Sequence, residues 1–217
     1  MSTVLVFDID RLPDTGTARF RRAVPADRRA RADNYHFPDD RKRCLAAGVL
    51  LRYALLVHHG LREDELPLSR NRFGKPYLAH RPDLHFSLSH SGRWVVCATS
   101  GKRIGVDIEH VDAGTRDIAH RFTPDEHAYV AAAPPAERAR RLIQIWTLKE
   151  SYLKCVGSGL TTPLNSFSTH PASPSPAPGL FLKQIPHECD YWLAECGEDD
   201  SSIDLRHTAA EDLLAVC

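Results

Sequence analysis

The sequence predicts an α+β fold, and three observations carry that expectation. Val4–Ile9 and Ile104–His110 both have strand composition, and each delivers two carboxylates two residues apart, Asp8/Asp10 and Asp107/Glu109, as if a half-unit were duplicated. Cys44–His58 is a strongly apolar helical segment, and Glu137–Gly157 spreads apolar residues over a wide helical arc. Short apolar runs at Leu180–Ile185, Tyr191–Ala194 and Leu213–Val216 add strands near the C-terminus.

Composition narrows the class. A chain of 217 residues can bury a core without disulfides or metal staples, as one sizeable domain or two small ones. Lys plus Arg equals Asp plus Glu at 28 each, so any affinity for polyanions must come from local patches, and neither nucleic acid nor a membrane surface is an expected partner. Cys44, Cys97, Cys155, Cys189, Cys196 and Cys217 form no CxxC pair and no regular framework, which indicates reduced intracellular thiols and not a zinc site. Val4-Leu5-Val6-Phe7 is too short for a signal peptide, and no other apolar run approaches membrane-spanning length, so a cytoplasmic protein is expected.

Along the chain, Val4–Ile9 ends in Asp8-Ile9-Asp10 before the turn signal Pro13-Asp14. A strand ending in Asp-x-Asp is also how haloacid-dehalogenase-type phosphatases present a nucleophile and its acid/base partner, although Arg11-Leu12-Pro13 is a poor continuation; strand-end turn chemistry is the competing explanation. Arg19–Arg43 is dense in arginine, and Asp39-Asp40 after Pro38 starts the helix that Leu45, Val49, Leu50 and Leu55 make apolar. Arg28, Arg31, Arg41, Lys42 and Arg43 give this helix a basic approach, either solvated or phosphate-binding. Arg70–Leu78 is a loop around Gly74-Lys75-Pro76 that turns into a short strand. In His85–Gly92, His85, Ser87 and Ser89 alternate with Phe86 and Leu88; adjacent Ser89 and His90 point to opposite sides and cannot pair as nucleophile and base. Trp94–Ala98 continues as a core strand, expected to form a hairpin around Ser100-Gly101 with Ile104–His110.

In that last strand Asp107 and Glu109 share one face, and Val106 and Ile108 the other. The acidic face is either a solvated edge or a ligand pair for a hard divalent cation such as Mg²⁺. Thr123-Pro124-Asp125-Glu126 is a capping box opening a helix that Pro134-Pro135 ends. Within the long helix that follows, Trp146, Glu150 and Lys154 lie on one face, a spacing equally suited to a surface salt bridge. Leu164–Ser168 reads as an exit strand, and Ser168–Gly179 as a Pro/Ser-rich connection.

Taken in order, these motifs resemble the Sfp-type 4'-phosphopantetheinyl transferases over nearly the whole chain. Gly105, Asp107 and Glu109, followed by Trp146, Lys149, Glu150 and Lys154, match the family's Gly-x-Asp-x-Glu and Trp-x-x-Lys-Glu-x-x-x-Lys; Gly74-Lys75-Pro76 and Ser87-Leu88-Ser89-His90-Ser91 match its upstream segments. Thr147 replaces a usually smaller residue, and Arg28 and Arg31 stand where some members carry lysine, which alters phosphate geometry.

The resemblance implies two similar α+β halves about a pseudo-twofold axis, residues 1–100 on the coenzyme A 3'-phosphate and adenine side and residues 101–217 carrying the metal and the catalytic helix. It implies an Mg²⁺-dependent, monomeric transferase of secondary metabolism that moves phosphopantetheine from coenzyme A to a serine of an acyl or peptidyl carrier protein, releasing adenosine 3',5'-bisphosphate. By position Asp107, Glu109 and Glu150 would bind Mg²⁺, Glu150 and Lys154 would serve catalysis, and Arg28, Arg31, Arg43, Lys75, Ser89 and His90 would contact coenzyme A. The loop Gly157–Thr162 is expected to help dock the carrier protein. The alternatives are a non-catalytic coenzyme A or carrier-protein binding module, and a phosphatase using Asp8 and Asp10.

Overall fold

The computed structural model describes residues 1–111, 118–173 and 175–217. Pro174, within the Pro/Ser-rich connection, lies outside them. Strands β1 (Ser2–Asp8), β4 (His85–Ser91), β5 (Trp94–Ser100) and β9 (Ile203–His207) form one sheet in the order β4-β5-β1-β9. A second sheet has the order β6-β8-β7, from β6 (Ile104–His110), β7 (Phe181–Ile185) and β8 (Tyr191–Gly197). The fragments β2 (Ser69–Arg70) and β3 (Pro76–Tyr77) pair separately across the Gly74 turn.

Helices cover the outer face of each sheet. Leu5, Phe7, Val95 and Cys97 face a core shared with α1 (Gly16–Ala23), α3 (Pro38–Tyr53) and α6 (Ala210–Ala215), while α2 (Ala26–Asp33) packs against α3. Their strand neighbours Val4, Val6, Val96 and Ala98 point the other way, into a second core with Ile104, Val106, Ile108 and Leu193. That alternation produces two sheets packed face to face. On the far side, α5 (Pro135–Val156) covers the second sheet, with α4 (Pro124–Ala131) packed on α5, so the layers run helix, sheet, sheet, helix. Among the described residues no helix is long and apolar enough to cross a membrane, and all six cysteines are free.

Several elements differ from expectation. β5 and β6 do not form a hairpin: among the described residues β5 pairs with β4 and β1, whereas β6 pairs only with β8. β1 is interior to its sheet while β6 is an edge, so the two acidic runs occupy unlike positions. Residues 213–216 are not a strand; the buried Leu213 belongs to the short helix α6, packed beside α3. β9 crosses back to pair in parallel with β1, and the end of the chain therefore packs with the N-terminal helices. The basic stretch before α3 folds as two helices, α1 and α2, because Pro25 interrupts it.

Leu164–Ser168 is likewise not a strand but a 3₁₀ turn at Leu164–Ser166 running into an extended Phe167. The carbonyls of Leu164 and Phe167 accept from the Lys149 ammonium, at 2.8 and 2.9 Å, instead of from a neighbouring strand. The third donor of Lys149 goes to Glu126 at 2.8 Å, both side chains being fully buried. Glu126 also accepts from the amides and hydroxyls of Thr123 and Thr169, so one carboxylate closes the capping box of α4 and holds the segment after α5. Burial acts to raise the Glu126 carboxyl, but the hydrogen bonds from Lys149, Thr169 and Thr123 outweigh it and hold it below its ordinary value.

Two consequences are measurable. Removing one partner of a buried pair leaves an uncompensated charge, so Glu126→Ala is expected to lower stability by about 3–5 kcal/mol in urea denaturation. Since the folded-state value lies below the ordinary one, the stability Glu126 contributes is complete above the ordinary carboxylate range and is lost as pH falls through the folded value; Glu126→Gln should abolish that part of the acid dependence.

Candidate functional site

A cleft of about 570 Å³ opens where the two sheets meet. Asp107 and Glu109 of β6, Trp146, Glu150 and Lys154 of α5, Arg28 and Arg31 of α2, Ser89 and His90 of β4, and the Gly74–Pro76 loop all line it. Of the residues that the resemblance assigns to metal, catalysis or coenzyme A only Arg43 is outside this lining; its guanidinium donates to Gly92 O and pairs with Asp40. Asp8 and Asp10 are also outside: Asp8 accepts from the Asp10 amide at 3.0 Å, which is turn capping.

The floor of the cleft depends on how β6 meets β4. As the edge of its sheet, β6 has amides that no strand satisfies on that side. Serine hydroxyls of β4 take them: Val106 N to Ser87 Oγ at 3.0 Å, Ile108 N to Ser89 Oγ at 3.3 Å, and His110 N to Ser91 Oγ at 3.1 Å. The same hydroxyls then donate onward, Ser89 to Asp107 Oδ1 at 2.7 Å and Ser91 to Glu109 Oε2 at 2.8 Å. Trp146 Nε1 reaches Glu109 Oε1 at 3.3 Å from α5. Ser91 and Trp146 are thus carboxylate-orienting groups that sequence reasoning did not assign; serine at every second position of 87–91 was the available signal.

Charge is concentrated here. Lys154 Nζ meets Asp107 Oδ1 at 2.6 Å and Ser89 Oγ at 2.9 Å, so its partner is the strand carboxylate and not Glu150. Burial raises Asp107, opposed by Lys154 and Ser89. Burial and the neighbouring Asp107 push Glu109 and Glu150 each up to about 7. His90 is driven down to about 4 by burial and the charges of Lys154, Arg43 and Arg31, so near neutral pH its imidazole is neutral. Lys149, next to Glu150 in sequence, faces the opposite side of α5.

The donor set suits a hard cation. Asp107 Oδ2 and Glu150 Oε1 are buried without hydrogen-bond partners, and oxygen ligands of this kind are what Mg²⁺ prefers. Among the described residues no three His, Cys, Asp or Glu side chains form a ready-made metal cage; the ammonium of Lys154 is the cation at Asp107.

Comparison with known proteins gives matches over both parts of the chain. Residues 15–102 match the family described as 4'-phosphopantetheinyl transferase, N-terminal, and residues 103–205 match the 4'-phosphopantetheinyl transferase superfamily. A 4'-phosphopantetheinyl transferase of Bacillus subtilis is 40% identical over 151 residues, covering 69% of this chain and 67% of the relative. The 4'-phosphopantetheinyl transferase Sfp of Bacillus subtilis strain 168 is 31% identical over 209 residues, 90% of this chain and 92% of its own. HetI of Nostoc, also named as a 4'-phosphopantetheinyl transferase, is 29% identical over 184 residues, 80% and 78% of the two chains.

Close contact of β6 with α5 is the geometric condition for this floor. A Cβ on Gly105 would run into the backbone of Ser151 and Cys155, with Cys155 Cα only 2.9 Å away. Gly105→Ala is therefore expected to cost about 1–3 kcal/mol and to separate Lys154 from Asp107. Denaturation and a crystal structure of the variant measure both; an unchanged unfolding midpoint would contradict the packing described.

Proposed function

Because the chain belongs to the Sfp-type 4'-phosphopantetheinyl transferase family, we propose that it moves the 4'-phosphopantetheine arm of coenzyme A onto a serine of an apo acyl or peptidyl carrier protein, with Mg²⁺, releasing adenosine 3',5'-bisphosphate. The observation that carries this reading is the convergence of Asp107, Glu109, Glu150 and Lys154 on the floor of a cleft whose walls hold Arg28 and Arg31. Clustered carboxylates suit a cation, and the cationic walls suit a phosphorylated ligand.

In this reading Asp107, Glu109 and Glu150 hold Mg²⁺, which when bound neutralises charge on the pyrophosphate of coenzyme A. Lys154 adds a second positive charge beside Asp107, where the phosphoryl oxygens gain charge in the transition state. Arg28 and Arg31 bind the 3'-phosphate end, Arg43 adds long-range positive potential, and neutral His90 hydrogen-bonds there. Ser89, whose hydroxyl already bridges Lys154 and Asp107, holds these two in place. Lys75 belongs to this wall through its loop.

The carrier serine supplies the nucleophile, so the enzyme needs only a base. Glu150, on the floor of the cleft with one oxygen unpartnered, is placed to accept the serine proton. As the serine oxygen bonds to the β-phosphorus, the phosphoanhydride bond breaks and the bisphosphate leaves with the electron pair. The form assigned to the protein is a cytoplasmic monomer acting in secondary metabolism, and the residues around Leu160, 59% exposed at the cleft edge, belong to the carrier-facing surface.

Incubation of an apo carrier protein with coenzyme A and Mg²⁺ should add about 340 Da by mass spectrometry with the wild type, the mass of the transferred phosphoryl-linked arm. Asp107→Ala and Glu150→Gln should add none while remaining folded. Mg²⁺ should raise the wild-type melting temperature but not that of Asp107→Asn. Full modification by Asp107→Ala or Glu150→Gln would sink the assignment.

A further inference from the structure

The loop that carries Gly74-Lys75-Pro76 is built to do something other than present a charge to the cleft. Asn71 organises it: its Oδ1 accepts from the amides of Phe73 and Lys75, both at 2.9 Å, and its own amide donates to Lys75 O at 3.0 Å. Gly74, at φ +85°, makes the tight return that this pattern requires. Held in this way, Lys75 extends across the boundary between the two sheets.

Its ammonium has three donors, and all three end on carbonyls: Lys154 O at 2.5 Å, Ile104 O at 3.1 Å and Cys155 O at 3.4 Å. Two of these are last-turn carbonyls of α5, which have no partner inside the helix. A third group of the same helix end, Gly157 O, accepts from Asn71 Nδ2 at 3.0 Å. A cation at this end also opposes the negative pole of the helix dipole. Gly157, left-handed at φ +73°, ends the helix in close contact with this loop, since a Cβ there would lie 3.1 Å from Lys75 Cδ and 3.2 Å from Asn71 Nδ2. Ile104 is the first residue of β6. One ammonium therefore ties the end of the helix that carries Glu150 and Lys154 to the start of the strand that carries Asp107 and Glu109.

We propose that Lys75, supported by Asn71, is a positioning residue that fixes α5 against β6 and so sets the geometry of the four charged groups, and that it does not contact the 3'-phosphate of coenzyme A. The inference rests on the transferase reading of the cleft. The loop presents Phe73 and Gly74 to the cleft on one side and clamps the helix on the other, so occupancy of the cleft and alignment of the catalytic helix share one structural element.

Lys75→Met keeps the aliphatic stem and removes the donors. Misplacement of a reacting group by about 1 Å costs on the order of 10²-fold in rate, so kcat is expected to fall between about tenfold and 10²-fold. KM for coenzyme A should change less than about threefold, and the kcat/KM ratio between coenzyme A and 3'-dephospho-coenzyme A should stay at its wild-type value. Amide hydrogen exchange in residues 154–157 should accelerate while the rest of α5 is unchanged. Asn71→Ala, which removes only the Gly157 arm and the loop turn, should show the same pattern more weakly and serves if Lys75→Met does not fold. A rise in KM at constant kcat, a collapse of the ratio between the two substrates, or unchanged exchange at 154–157 overturns the proposal. Hydrogen exchange reads the clamp without turnover: wild-type protein that modifies no carrier protein refutes the transferase reading, while the exchange result still decides whether the clamp exists.

Discussion

The serine ladder between β4 and β6 is the interaction on which the site depends. An edge strand in a protein interior must have its free amides satisfied, and a backbone ladder with β4 would have merged the two sheets. Hydroxyls of Ser87, Ser89 and Ser91 satisfy those amides instead and keep the sheets separate, so that one face of β6 packs into the shared core and the other meets α5. Because a hydroxyl both accepts and donates, Ser89 and Ser91 pass the connection on to Asp107 and Glu109. Sheet assembly and carboxylate orientation are thus performed by the same atoms.

The second constraint is electrostatic. α5 carries two lysines that are partly or wholly buried and point in opposite directions, and each is handled differently. Lys149 is enclosed by Glu126 and two carbonyls, a closed arrangement with no donor left over, so it fastens neighbouring segments. Lys154 is partly exposed to the cleft and pairs with Asp107, whose second oxygen has no hydrogen-bond partner. Incomplete satisfaction on one face of the helix, against complete satisfaction on the other, distinguishes a binding surface from a structural one.

Much of this was legible in the sequence wherever local chemistry decides the outcome. The alternation in Ile104–His110 placed Asp107 and Glu109 on one face, Thr123 and Glu126 gave a capping box where one forms, and helical spacing put Trp146, Glu150 and Lys154 toward one cleft. The errors arose where distant partners decide. Residues 164–168 have the composition of a strand, but Leu164–Ser166 turns as a 3₁₀ helix and the carbonyls of Leu164 and Phe167 are taken by Lys149. The hairpin expected between Trp94–Ala98 and Ile104–His110 has an adequate turn, yet serines elsewhere compete for the edge of β6. No local pattern could show that the Lys75 ammonium ends on backbone carbonyls of α5 and β6, or that Glu126 reaches Lys149 as well as its own cap.

The parallel pairing of β9 with β1 has a consequence for how the molecule comes into being. Ser2 through Val6 pair with Ile203 through His207, and α6 packs beside α1 and α3. The first sheet to be synthesised therefore keeps β1 open along one edge until almost the whole chain is available, and closing it requires joining the most distant parts of the sequence, the slowest and entropically most demanding kind of contact. Although the site draws on two units that look separable in sequence, the N-terminal one has no complete sheet of its own. The protein must mature as a whole, and a ribosome-bound N-terminal half exposes the β1 edge that the final strand later covers.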